Sequence, residues 1–235
     1  MKFNILGVTL ARGGSKGIPK KNLALIKNKP LIKYTLDEAK KCQMLSRYIV
    51  STDDKDVKSF CVDEGVEVPF LRPSHLATDQ ATSVDALIHA VNFCEDQEKI
   101  KYDFVIELMA TNPLKNKEDI NNCILKLIAT KADSVIGVTK LDDHHPARIK
   151  KIVNDKIEDF CVPELSSRRQ DLKPEAYIRN GSIYALNRDA LVKNKHRFGG
   201  RNSRPYIMPI ERSINIDTPI DLLICESYLD KFATN

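Results

Sequence analysis

Phe3-Asn-Ile-Leu-Gly-Val-Thr-Leu10, followed directly by Ala11-Arg-Gly-Gly-Ser-Lys-Gly-Ile-Pro-Lys-Lys-Asn22, decides the class of the fold. The first run is apolar and reads as a buried strand. The second reads as a loop. Gly13, Gly14 and Gly17 let its backbone bend tightly and turn N–H groups outward. Arg12, Lys16, Lys20 and Lys21 place four cations within ten residues, and Ser15 adds a hydroxyl. Pro30-Leu-Ile-Lys-Tyr-Thr35 then opens a helix. A glycine-bent, cation-rich loop after a first strand is a place to hold a polyphosphate; the competing reading is a solvated basic turn. The P-loop pattern does not fit, because no Ser or Thr follows the lysine where it is needed, and the Gly-x-Gly-x-x-Gly fingerprint is missing.

The alternation continues outward from that stretch. Strand signals recur at 47–51, 66–71, 104–109 and 134–139. Helical spacing runs over 31–42, with Leu31, Tyr34, Thr35, Ala39 and Cys42 on one face. It recurs from an Asp53 or Asp54 cap to Glu64, and from a Thr82 or Ser83 cap through Phe93. It returns over 116–131, with Ile120, Ile124, Leu127 and Ile128 inward. Apolar strands separated by amphipathic helices predict an α/β domain: a three-layer, Rossmann-like, mostly parallel sheet. Ligands of such sheets bind beyond the carboxyl ends of the strands. That rule puts the 12–22 loop, Ser51-Thr-Asp53, Arg72 and Ala110-Thr-Asn-Pro113 on one rim.

From residue 141 to 179 the pattern breaks. Short strand signals at 149–153 and 156–160 carry Ile149, Ile152, Val153, Ile157 and Phe160, while Arg168, Arg169 and Lys173 concentrate positive charge. A purely solvated excursion has little use for so many apolar side chains, so the segment reads as an arm packing on a partner subunit rather than as a mobile loop. The expected division is a core of residues 1–140 and 181–235 with an arm at 141–180. A strand at 181–186, an extended stretch at 206–209 and a helix at 219–232 complete the core.

The chain of 235 residues is 42% hydrophobic and 29% charged, ordinary for a globular domain. No apolar run reaches the ~18 residues of a membrane span, and the chain starts on a strand, so neither membrane insertion nor a secretion signal is expected. The net charge of +5 is scattered, tryptophan is lacking, and aromatic and basic residues do not interleave, which argues against nucleic-acid binding. Six cysteines without a Cys-x-x-Cys pair read as buried free thiols in a reducing cytoplasm. His144 and His145 read as a turn before Pro146 at the root of the arm, since adjacent strand residues face opposite ways.

Eight short motifs, in order, resemble those of the cytidylyltransferases that activate nine-carbon acidic sugars, the CMP-sialic acid (CMP-nonulosonate) synthetases. They are the Leu10–Asn22 loop, Ile49-Val-Ser-Thr-Asp53, Leu71-Arg-Pro-x-x-Leu-Ala-x-Asp79, Thr111-x-Pro-Leu114, His144-His-Pro146, Arg169-Gln170, Asn180-Gly-x-Ile-Tyr184 and Ile216-Asp-Thr-x-x-Asp221. Bacterial enzymes for legionaminic acid look closer than those for N-acetylneuraminate. The resemblance implies a nucleotidyltransferase-type fold in a cytoplasmic homodimer. The implied reaction joins CTP to a nonulosonic acid with Mg2+ or Mn2+ and releases pyrophosphate.

By the same resemblance Arg12, Gly13, Ser15, Lys16 and Lys21 hold the triphosphate, with Lys21, Arg12 and Lys16 as the catalytic cations and Lys21 at the reacting α-phosphate. Asn22, Arg72, Ala81 and Ser83 match positions near the cytosine. Asp217 matches a metal ligand; Asn215 stands where the family commonly has a second aspartate and brings no charge. Residues 215 and 217 of an extended segment point to one side, so both can face one ion. At the sugar end the matches are Thr111, Arg169, Gln170, Asn180 and Tyr184. Met109 replaces a glutamine of many sialic acid enzymes, which suits a sugar with fewer hydroxyls, such as the 9-deoxy legionaminic acid. An eight-carbon (Kdo) relative, an N-acetylneuraminate enzyme and a non-catalytic nucleotide binder remain the alternatives.

Overall fold

The apolar run that opens the chain becomes β1 (Ile5–Leu10), an inner strand second from one edge of a six-stranded sheet. The computed structural model describes residues 3–141 and 143–233; expectations touching residues 1, 2, 142, 234 and 235 lie outside them. After β1 come β2 (Leu25–Ile26), β3 (Lys29–Pro30), α1 (Leu31–Lys41), β4 (Arg47–Ser51), α2 (Lys55–Asp63), α3 (Ser83–Glu98) and β5 (Phe104–Leu108). Then follow α4 (Lys117–Thr130), β6 (Ser134–Lys140), β7 (Lys150–Val153), β8 (Lys156–Asp159), β9 (Tyr177–Asn187), α5 (Arg188–Asn194), β10 (Ser203–Ile207) and α6 (Pro219–Ala233). The helices begin where side chains can satisfy their first N–H groups. Asp54 accepts from Asp56 N–H at 2.8 Å, Thr82 from Asp85 N–H at 3.1 Å, and Asn116 forms a reciprocal capping box with Asp119.

The sheet order is β10-β6-β9-β5-β1-β4. β1 pairs parallel with β4 and β5, and β10 pairs parallel with β6. β9 is antiparallel to both β5 and β6. The cause lies in the connection. The chain leaves at the carboxyl end of β6, makes the excursion, and re-enters at the same edge, where Leu141 N–H donates to Ala176 O at 2.9 Å. A strand that returns without a crossover must run back against its neighbour. β9 therefore begins on the rim where the other strands end. Its register against β6 slips between Ile136 and Val138, and Gly181 there holds a φ of +60°, a left-handed value that glycine adopts without strain.

Both sheet faces are covered. On one, Leu6, Val8, Val105 and Leu186 pack against Leu87, Ala90, Val91 and Cys94 of α3. On the other, Ile106, Leu108, Val135 and Ile183 pack against Ile120, Cys123, Ile124 and Leu127 of α4. Three local expectations need correction. Residues 66–71 make only isolated bridges, Ile49 to Glu67 and Thr52 to Leu71; Pro69 has no N–H to give a ladder. The inner face of α1 is Leu31, Ile32, Thr35, Leu36 and Ala39, while Tyr34 is partly exposed and its hydroxyl donates to Ile26 O. Cys161 is exposed, unlike the other five cysteines.

β7 and β8 form a separate hairpin. Its turn residues, Asn154 and Asp155, both have positive φ, as a two-residue hairpin turn with matching twist requires. Among the described residues no helix is long and apolar enough to cross a membrane. Leu127 is fully buried and Leu125, on the same helix, is 53% exposed. Leu127→Ala should lower unfolding free energy by about 2–5 kcal/mol and Leu125→Ala by about 0.5 kcal/mol or less; urea denaturation of the two variants checks the difference.

Candidate active site

The rim above the carboxyl ends of β1, β4 and β5 holds a cleft of about 550 Å³. The glycine loop forms one wall, contributing Arg12, Ser15, Lys16, Gly17, Lys21 and Asn22. Arg72, Ala81 and Ser83, with Leu76, Thr78, Asp79, Thr82 and Ala86, form another. Met109 and Thr111 come from the turn after β5, and Asp217 closes the cleft from the far end of the sequence.

The loop is held in place at each of its corners. Gly13 N–H donates to Asp53 Oδ1 at 3.0 Å, and Asn22 Nδ2 donates back to Arg12 O at 2.9 Å. Lys20 turns away to Asp56, so the cleft receives the other three cations. Asp79 gathers two of them, with Arg12 Nη1 at 3.0 Å and Lys16 Nζ at 2.8 Å; these cations, Lys16 first, hold the Asp79 carboxyl below its ordinary pKa. Lys21 reaches across to the last turn before α6, donating to Asp217 Oδ1 at 2.8 Å and to Ile216 O at 2.9 Å. A Cβ on Gly17 would stand 2.2 Å from the Asp217 carbonyl oxygen, so only glycine permits this approach.

Asn215 Nδ2 donates to the other carboxylate oxygen, Oδ2, of Asp217. Asp221, in the first turn of α6, accepts from the N–H groups of Asp217 and Thr218, which precede the helix. The Asp217 carboxylate itself lines the cleft, engaged by Lys21 and Asn215. Among the described residues no three His, Cys, Asp or Glu side chains cluster as a metal cage.

Arg72 is buried, and its guanidinium donates to the hydroxyl and carbonyl oxygens of Ser51. Burial pushes its pKa down, and Asp53 opposes that shift. The remaining sugar-end candidates lie apart. Arg169 and Gln170 are exposed in the excursion, with Arg169 4.0 Å from Asp143. Asn180 is buried, donating to Ser213 Oγ at 3.0 Å, and Tyr184 is packed in the core.

A family profile described as Cytidylyltransferase matches residues 6–222. The chain belongs to the cytidylyltransferase family. It is 32% identical to a CMP-N,N'-diacetyllegionaminic acid synthase of Legionella pneumophila, over 97% of each chain. It is 30% identical to a pseudaminic acid cytidylyltransferase of Campylobacter jejuni, over 90% of each. A solved CMP:2-keto-3-deoxy-manno-octonic acid synthetase complexed with CTP shares the fold, with a TM-score of 0.71 at 18% identity over 97% of this chain and 99% of that one.

Two cleft-side residues of this cytidylyltransferase escaped the sequence reading. Glu107 lines the cleft yet is fully buried, and Arg197 meets it with Nε at 2.7 Å and Nη2 at 3.0 Å. Arg197 also lies over the Tyr184 ring at 4.1 Å. Glu107 had a signal, as the one charge in an apolar strand; Arg197 sits in a polar stretch after α5 and had none. Burial pushes the Glu107 carboxyl above its ordinary pKa, and Arg197 opposes that rise. Arg197→Met removes the opposition and should cost about 3–5 kcal/mol. Glu107 would then keep its proton in the folded state to higher pH than in the unfolded one. Stability of the variant should therefore fall as pH rises from about 5 to 8, since folding retains a proton that the unfolded chain releases. Urea melts across that range, compared with the parent chain, test both the loss and its slope.

Proposed function

We propose that this cytidylyltransferase joins CTP to a nine-carbon nonulosonic acid, legionaminic acid or a derivative, and releases pyrophosphate. The contact of Lys21 with Asp217, beneath a wall of Arg12 and Lys16, carries the proposal. It brings a lysine and a carboxylate together on a cleft that two further cations also line, fixed charges that suit displacement at a phosphorus with pyrophosphate as the leaving group. The anomeric hydroxyl oxygen of the sugar bonds to the α-phosphorus of CTP. The bond from that phosphorus to the α,β-bridging oxygen breaks, and the hydroxyl proton passes to the medium. Arg12 and Lys16 exchange Asp79 for phosphate oxygens, and Lys21 donates to the charge that develops on the α-phosphate. Asn22 on one wall of the cleft and Arg72, Ala81 and Ser83 on the other would take the base between them, and the backbone of Gly13 stiffens the loop.

Asp217 and Asn215 would hold the magnesium or manganese ion, Asp217 as the charged ligand and Asn215 through its carboxamide oxygen. The donor set fits a hard cation, which takes one or two protein oxygens and completes its shell with phosphate and water. When bound, such an ion offsets the charge of the triphosphate and its leaving group. Met109 and Thr111, which also line the cleft, would meet the sugar. The apolar Met109 favours a deoxy sugar, a class to which the product of the legionaminic acid synthase relative belongs.

The expected assay is pyrophosphate release with CTP, magnesium and a panel of legionaminic, pseudaminic, N-acetylneuraminic and Kdo acids. Legionaminic acid or its derivative should give the fastest turnover; exclusive use of another acid sinks the choice. Lys21→Ala should lower kcat by about 10²–10³-fold with the fold intact by circular dichroism, and near-normal turnover would remove Lys21 from its role.

The arm, taken as residues 141–180, supports a homodimer in which the exposed Arg169 and Gln170 reach a sugar pocket across the subunit boundary, while Asn180 and Tyr184, buried in their own subunit, support that pocket from beneath. Ile152, Ile157, Phe160 and Leu165 are 79%, 77%, 63% and 89% exposed on it, more apolar surface than a free hairpin keeps in water. Six free cysteines suit a reducing cytoplasm. Ile152→Glu with Ile157→Glu should convert a dimer to a monomer in sedimentation; a monomeric parent chain at micromolar concentration would refute the assembly.

A further inference from the structure

Lys115 follows Pro113-Leu114 and is 2% exposed, although it takes no part in the cleft. Lysine is seldom sealed in a core unless its donors are satisfied. Here its three N–H donors meet three uncharged oxygens: Thr35 Oγ1 on α1 at 2.8 Å, Met109 O at 2.7 Å, and Asn112 O. Burial pushes its pKa down to about 7, while Asp119 and Glu38 pull the other way at longer range. Two of the three acceptors are main-chain carbonyls of the single turn that follows β5. Thr35 reinforces one of them, donating to Met109 O at 3.3 Å.

That turn has a second attachment. Its Thr111 carbonyl accepts from Ile216 N–H at 2.8 Å, Ile216 is fully buried, and the Ile216 carbonyl in turn receives Lys21. Hydrogen bonds and the short stretches of main chain between them thus connect the ammonium, the turn, Ile216 and the Lys21–Asp217 contact.

We propose that Lys115 is a positioning residue for the transfer reaction: its ammonium clamps the Met109–Asn112 turn from beneath, and through Thr111 and Ile216 sets where Asp217 and Lys21 stand. The proposal rests on the role given to those two residues above. The chemistry is specific to an ammonium. Only a compact group with three donors serves three convergent oxygens. Without it, the buried Asn112 carbonyl loses this donor and the Met109 carbonyl keeps only its longer bonds from Thr35 and Asn112 N–H, so the turn must rearrange to satisfy them. Because Ile216 hangs on the same turn, the rearrangement moves the far wall of the cleft.

The test compares the parent chain with Lys115→Met, which keeps the stem and removes the donors, and Thr35→Val, which removes one oxygen and keeps the ammonium. Amide exchange of residues 214–218 is followed by mass spectrometry, alongside kcat, the magnesium concentration for half-activation, and CTP binding without metal. Lys115→Met should raise exchange at 214–218 and lower kcat, each by about tenfold, because a misplaced group slows the reaction without weakening a distant grip. It should also raise the magnesium requirement, while metal-free CTP binding stays within about twofold. Thr35→Val should shift all three in the same direction by less. Unchanged exchange and kcat in Lys115→Met, even with a lowered melting temperature, would reduce Lys115 to a structural residue. If that variant does not fold, unchanged values in Thr35→Val decide against the proposal. If the parent chain transfers cytidylate to no sugar acid, the reading of the reaction fails, and the exchange measurement still decides the clamp.

Discussion

Everything at the rim depends on one close approach, that of the glycine loop to the turn before α6. Lys21 and Asp217 are 196 positions apart in sequence and 2.8 Å apart in space. The Lys21 side chain is only 14% exposed while Asp217 is 62% exposed, so the pair is anchored on the lysine side and open on the carboxylate side. An exposed carboxylate is a weak source of stability. Its value is geometric: it fixes a donor and an acceptor at the place where phosphate charge would change. Gly17 makes the approach possible by having no Cβ to meet the Asp217 carbonyl.

The electrostatics of the cleft follow from the same arrangement. Arg12 and Lys16 share Asp79, Lys21 has Asp217, and Arg72 leans on Ser51. Each cation is thus held in a fixed direction by oxygens of the protein itself, an arrangement already set in the unliganded fold. Beneath them lies the fully buried Glu107 with Arg197, a pair whose desolvation is costly and whose geometry must be good to offset it. Such a pair joins β5 to the stretch after α5, and it brings the guanidinium over the Tyr184 ring of β9. Lys115 serves the neighbouring turn in a comparable way, using carbonyls instead of a carboxylate.

Much of the architecture was legible in local patterns. β1, β4, the helix starts near Asp54 and Thr82, each to within one residue, and the apolar face of α4 follow from periodicity and capping chemistry, which act over a few residues, whereas periodicity counts Asn116 as the first residue of its helix and the structure makes it the cap. The direction of β9 was not legible, since a short strand reads the same either way and its orientation is set by where the preceding excursion returns. The Glu107–Arg197 pair was legible by half. A carboxylate in an apolar strand announces that it needs a partner, but 90 positions separate the two residues and no spacing rule connects them.

Neighbouring residues alone carry the class of the fold, the cation-rich loop and the motifs that mark a cytidylyltransferase, because alternating burial and glycine-bent loops are local patterns. It takes the folded chain to seat the N–H groups of Asp217 and Thr218 on Asp221, to orient Arg12 and Lys16 on Asp79, and to seal Lys115 beneath the turn after β5. Those outcomes depend on which polar groups are brought within 3 Å of one another once the sheet closes, and hydrogen bonds of that kind are fixed by distance in space, not by distance along the chain.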